Sequence, residues 1–164
     1  MKYPDEKLIV ETVGDHSKNK KMLDITGQDG TYSIIALENG VKEVTINEER
    51  VEILENLPKD LGINIMEMNL EAFLDLCEET GETYDTIVLH SDRFAEDYDL
   101  QRDHKDLIRR IQNRLLNDAG TFFFIVRKSP FVLDDYLKPG ADKLTKKMNV
   151  EPENKTFQVW AFYN

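Results

Sequence analysis

The run from Lys20 to Leu37 constrains the fold more than any other stretch. It opens on a short apolar segment ending in Asp24, crosses a loop holding Gly27 and Gly30, and continues into Tyr32-Ser33-Ile34-Ile35-Ala36-Leu37. Strand, glycine turn and helix in that order make a nucleotide cradle. Glycine lets the backbone approach a ligand closely, and the first turn of a helix offers unpaired N–H groups to oxygen atoms. An ordinary strand-to-helix turn has the same outline, so the remainder of the chain has to decide between the two.

Downstream, strand-like and helix-like segments alternate. Glu43–Asn47 is rich in β-branched residues and reads as a second strand. Glu48–Leu61 follows as a helix carrying Val51, Ile53, Leu54 and Leu57, interrupted by Pro58 and closed by Gly62. Ile63–Met68 alternates as a third strand, and Asn69 caps a helix with Leu70, Phe73, Leu74 and Cys77 at helical spacing. Tyr84–Leu89 is a buried fourth strand, His90–Asp99 is polar and irregular, and Leu100–Leu116 is a long helix. The most apolar strand, Thr121–Val126, and a final strand, Thr156–Tyr163, complete the series. Such alternation predicts an α/β, Rossmann-like, doubly wound and mostly parallel sheet with helices on both faces. The late clustering of strands places an antiparallel strand at one edge. Residues 1–19 read as a polar lead-in with a possible strand at Leu8-Ile9-Val10, and residues 20–164 as a single domain.

Composition narrows the functional classes. The longest apolar run, Phe122–Val126, is far too short to span a bilayer, and no apolar core of a leader follows the first residues, so the expected location is cytoplasmic with no membrane contact. Cys77 is the only cysteine, which rules out an internal disulfide or a cysteine-based metal cluster. The net charge of −11 weighs against tight, unaided nucleic-acid binding, because phosphate neutralisation supplies most of that affinity. The basic clusters, Lys18 with Lys20 and Lys21, Arg109 with Arg110 and Arg114, and Arg127 with Lys128, are local. RNA is therefore expected as a partner only alongside another RNA-binding component, and a protein partner is the alternative.

Beyond the fourth strand the sequence becomes specific. It runs Asp99-Leu100-Gln101-Arg102-Asp103-His104, then Leu115-Leu116-Asn117-Asp118-Ala119-Gly120-Thr121, then Lys128-Ser129-Pro130-Phe131-Val132-Leu133-Asp134, and closes on Gln158-Val159-Trp160. This resembles the C-terminal methyltransferase domain of the bacterial large-subunit rRNA methyltransferase K/L family. There a helix opening Asp-Val-Gln-Arg-Asp-His leads to a Leu-Leu…Gly-Gly-Thr turn and a Lys-x-x-Phe-x-x-Asp run. The family's Asp-Leu-Phe-Ser-Tyr-Thr-Gly matches Asp24 through Gly30 without a gap. Against the broader pattern of class I S-adenosylmethionine (SAM) methyltransferases, Asp/Glu-x-Gly-x-Gly-x-Gly, only Asp24 and Gly30 match. The resemblance implies a seven-stranded methyltransferase sheet and SAM as the cofactor, with Asp24, Gly27, Gly30, Asn47, Glu48, Asn69 and His90 around it and no metal.

The departures carry equal information. Where the family has an acid for the ribose hydroxyls of SAM, this chain has Asn47, with Glu48 beside it. Asn69 replaces the aspartate that contacts the adenine amine. Asp-Pro-Pro after the fourth strand becomes His90-Ser91-Asp92, leaving His90, as a base near neutral pH, and Asp92 as catalytic candidates. These losses favour a degenerate methyltransferase-fold module that binds SAM or a protein without transferring methyl, with the cofactor either kept or lost. The alternative is an active RNA methyltransferase, and a second alternative is another nucleotide-binding Rossmann-like protein, for which Gly27-x-x-Gly30 supplies part of a glycine fingerprint.

Overall fold

The computed structural model describes residues 6–26, 28–93, 106–127, 145–148 and 156–163. In chain order these form α1 (Lys7–Ser17), β1 (Lys21–Asp24), α2 (Thr31–Glu38), β2 (Glu43–Asn47), α3 (Val51–Leu54), β3 (Asn64–Met66), α4 (Leu70–Thr80) and β4 (Tyr84–His90). There follow a 3-10 turn at Ser91–Arg93, helix α5 over residues 106–115 with Ile111–Leu115 wound as a π-helix, β5 (Leu116–Arg127), β6 (Thr145–Met148) and β7 (Phe157–Tyr163).

Seven strands make one sheet in the order β3-β2-β1-β4-β5-β7-β6. β3 through β5 pair in parallel, with Asp24 of β1 in register with Ile46 of β2 and Val88 of β4. The expected antiparallel pairing lies at the β5 side. There β7 runs against both neighbours, and β6 is the outermost strand. The central strands are buried on both faces, as parallel strands between helix layers must be. Ile9 and Val13 of α1 and Ala36 of α2 pack with Val88 and Phe123 on one face. Phe73 and Leu74 of α4 and Ile111 of α5 pack with Ile87 and Phe122 on the other.

Three local readings change. Residues 8–10 belong to α1 and not to a strand, because Ile9, Val10, Val13 and Ser17 are buried at helical spacing. The helix expected over Glu48–Leu61 shrinks to the single turn α3. The Glu48 carboxylate accepts the N–H groups of Glu49 (2.8 Å) and Arg50 (3.2 Å) and holds Arg50 extended, so helical winding starts only at Val51. β5 starts at Leu116, ahead of the expected Thr121, with an irregularity opposite Tyr84–Thr86. Ala119 lies there at φ 62°, and a Cβ on Gly120 would come within 2.9 Å of the Asp85 carbonyl oxygen. Only glycine fits that crossing. At the far end of α4, Gly81 terminates the helix at φ 76°.

Candidate cofactor site at the carboxyl ends of the strands

The strand order reverses between β1 and β4, and open α/β sheets bind ligands in the crevice outside the strand ends at such a point. Asp24, Asn47, Glu48 and His90 all lie at this edge.

Asp24 ends β1 and is fully buried, not merely seated at a strand terminus. Its Oδ1 accepts the Thr26 N–H (2.9 Å) and the Thr26 hydroxyl, and its Oδ2 accepts the Ser33 hydroxyl (2.7 Å). The carboxylate thereby fastens the loop to the first turn of α2. Gly27 lies outside the described residues. Gly30 precedes α2 at φ 76°, and a Cβ there would meet Pro58 Cδ at 3.1 Å, so its close approach is to the segment after α3. Asp29 accepts the N–H of Thr31 (3.0 Å) and the Thr31 hydroxyl, which places a carboxylate of the chain itself at the start of α2.

Asn47 ends β2 with every part of its amide in use. Nδ2 donates to the carbonyls of Met66 (3.2 Å) and Met68 (2.9 Å), and Oδ1 accepts from Arg93 Nη2 (3.2 Å). A carboxylate in this position would face two carbonyl oxygens, which accounts for an amide where an acid was anticipated. The buried Glu48 carboxylate binds the Arg50 guanidinium and lies 3.7 Å from Arg93 Nη1. Burial alone would raise its pKa, but Arg50 and Arg93 outweigh burial and hold it below the ordinary range. Asn69, expected near adenine, is exposed and caps α4, its Oδ1 accepting the Ala72 N–H at 2.7 Å.

His90 ends β4 and is buried. Its Nδ1 accepts the Asp92 N–H (3.1 Å), so Nε2 carries the proton and donates to Glu6 Oε1 at 2.5 Å. The same Glu6 oxygen accepts from the Tyr32 hydroxyl at 3.2 Å, and burial together with Glu6 pushes the Tyr32 phenol well above its ordinary value. Both ring nitrogens of His90 are thus engaged. Asp92 contributes its backbone N–H to this arrangement. Glu6 and Arg93, two buried charges central to the edge, were not among the anticipated residues. Their partners lie far away in sequence, and no local signal marks either.

Lys21 is paired with Glu82, and Arg110 is held by Glu71, Asp75 and Glu78 of α4. Residues 99–105, and the run holding Lys128, Phe131 and Asp134, lie outside the described residues. Among the described residues there is no group of His, Cys, Asp and Glu side chains that could hold a metal ion, and no helix long and apolar enough to cross a membrane.

No protein-family model matches the chain. The ribosomal RNA large subunit methyltransferase K/L of Psychrobacter cryohalolentis is 27% identical over 138 residues, 76% of this chain but 18% of that protein. The chain therefore spans less than a fifth of that curated relative. Among solved structures, SMU.776, a putative methyltransferase complexed with S-adenosylhomocysteine (SAH), superposes with a TM-score of 0.77 at 13% identity, covering 97% of this chain and 49% of its own. An rRNA methylase from Streptococcus thermophilus superposes with a TM-score of 0.64 at 15% identity, covering 99% of this chain and 98% of its own. The chain has the class I SAM-dependent methyltransferase fold.

Proposed function

We propose that this chain binds SAM at the carboxyl ends of β1, β2 and β4 and serves as a methyl-transfer module acting on RNA. The observation that carries the reading is the Asp24 corner. A buried carboxylate organises the β1–α2 loop at the switch point of the sheet, where nucleotide ligands of such folds sit. The kinship with the K/L methyltransferase supports RNA as the substrate class. SAM, when bound, supplies a methyl group taken in one in-line displacement, so the task left to the chain is positioning. Asp24 would fix the loop under the ligand, and the oxygens of Asn47 and Glu48 at the end of β2 are the acceptors to which a ribose diol would have to gain access. With Lys21 and Arg110 paired internally, the RNA would be held by another component.

A second reading, a module that binds SAM or a protein without transferring methyl, is favoured by one specific observation: His90 has partners on both ring nitrogens. Incubation with methyl-labelled SAM and deproteinised large-subunit rRNA separates the two. Label in RNA, lost in the Asp24→Asn variant, supports transfer. Retention of SAM with no label in RNA, from ribosomal or total cellular sources, supports the second reading.

A further inference from the structure

We propose that Arg93 controls access to the cofactor crevice: its guanidinium occupies Asn47 Oδ1 and flanks the Glu48 carboxylate, the acceptors a ribose diol would use, so SAM binds only when that side chain withdraws. The inference rests on the reading of SAM as the ligand. Arg93 leaves the chain just past β4, yet its contacts lie on the two strands beyond. Nη1 donates to the carbonyls of Ile25, past the end of β1 (2.9 Å), and of Asn47, at the end of β2 (2.6 Å), while Nη2 donates to Asn47 Oδ1 (3.2 Å). The guanidinium also lies 3.7 Å from the Glu48 carboxylate and 4.0 Å from that of Glu49, and its side chain is only 3% exposed. It therefore crosses the switch point from β4 over β1 to β2.

The chemistry of the contacts makes this a competition. A ribose diol binds by donating two hydroxyl protons to acceptors at the end of β2. Here Asn47 Oδ1 already accepts from the Arg93 fork, and the same guanidinium lies 3.7 Å from the Glu48 carboxylate, which Arg50 also binds. A ligand whose site is free in only a fraction of molecules binds more weakly by that fraction. Tying strand ends together is the alternative role for such an arginine. Under that role its loss lowers stability without strengthening binding.

Equilibrium dialysis of labelled SAM against the full chain distinguishes the two roles. Arg93→Met keeps the apolar stem and removes every donor. The variant is expected to melt at a lower temperature and to bind SAM about tenfold tighter or more. Should Arg93→Met fail to fold cooperatively, Arg93→Lys is read instead. It keeps a point charge that cannot bridge two carbonyls and an amide together, so a smaller tightening is expected. Unchanged or weaker binding in a folded variant, with wild type binding SAM, overturns the role of Arg93 and leaves the SAM reading intact. Absence of binding in wild type and folded variants alike at millimolar SAM overturns both.

Discussion

The ends of β1 and β4 lie on adjacent strands and are built in opposite ways. At β1, Asp24 takes its donors from Thr26, two residues on, and Ser33, nine residues on. At β4, His90 meets Glu6 across 84 positions of sequence, and just beyond it Arg93 reaches back 68 residues to Ile25 and 46 to Asn47. The first corner belongs to one strand–loop–helix unit and exists wherever that unit forms. The second exists only when the residue capping α1 and the ends of β1, β2 and β4 are brought together.

Breaking the long-range corner should therefore cost the most. Glu6→Ala removes the carboxylate that accepts from both His90 Nε2–H and the Tyr32 hydroxyl in a buried corner. A loss of about 3 kcal/mol is expected in urea unfolding at an unchanged slope. A loss below about 0.5 kcal/mol would mean that the two corners do not differ as described.

Asn47→Asp comes next. It puts a carboxylate against the carbonyls of Met66 and Met68, and its charge-assisted bond to Arg93 offsets only part of that. About 2 kcal/mol should be lost at neutral pH, shrinking in acid as the carboxyl protonates. Stability equal to wild type at pH 7 would show that the β2–β3 tie does not depend on the amide.

The smallest effect concerns pH. Arg50 and Arg93, opposing burial, hold the Glu48 carboxyl below its unfolded-state value, so its contribution is present above about pH 4.3 and fades as pH falls through the lower folded value. Glu48→Gln should flatten the acid limb of the stability curve by about 1 kcal/mol while leaving its neutral slope alone. An acid limb identical to wild type would detach Glu48 from this edge.

The same contrast explains what was legible in the sequence. β1, β2 and β4 show as apolar or β-branched runs, and a parallel sheet follows from their alternation with helices. From that alternation Asp24, Asn47 and Glu48 fall at strand ends without any further information. Leu8-Ile9-Val10 suggests a strand because it is contiguous and apolar, whereas the helical burial of Val13 and Ser17 extends beyond that triplet. β6 went unmarked because Thr145-Lys146-Lys147-Met148 carries a single apolar residue. Glu6 and Arg93 were illegible for another reason. Each is a charged residue in a polar run, and only the folded sheet brings it to a buried partner. Asn69 could be read as a helix cap, and capping is the role its side-chain oxygen fills.

The most direct test of the central claim is calorimetric titration of SAH into the wild-type chain and into Asp24→Asn. The account predicts saturable binding to wild type and affinity roughly tenfold weaker in the variant, a difference of about 1.4 kcal/mol. The fold of the variant would be checked by its unfolding transition. Equal affinities in two folded proteins, or no heat from wild type at millimolar SAH, would contradict the placement of the cofactor at the Asp24 corner.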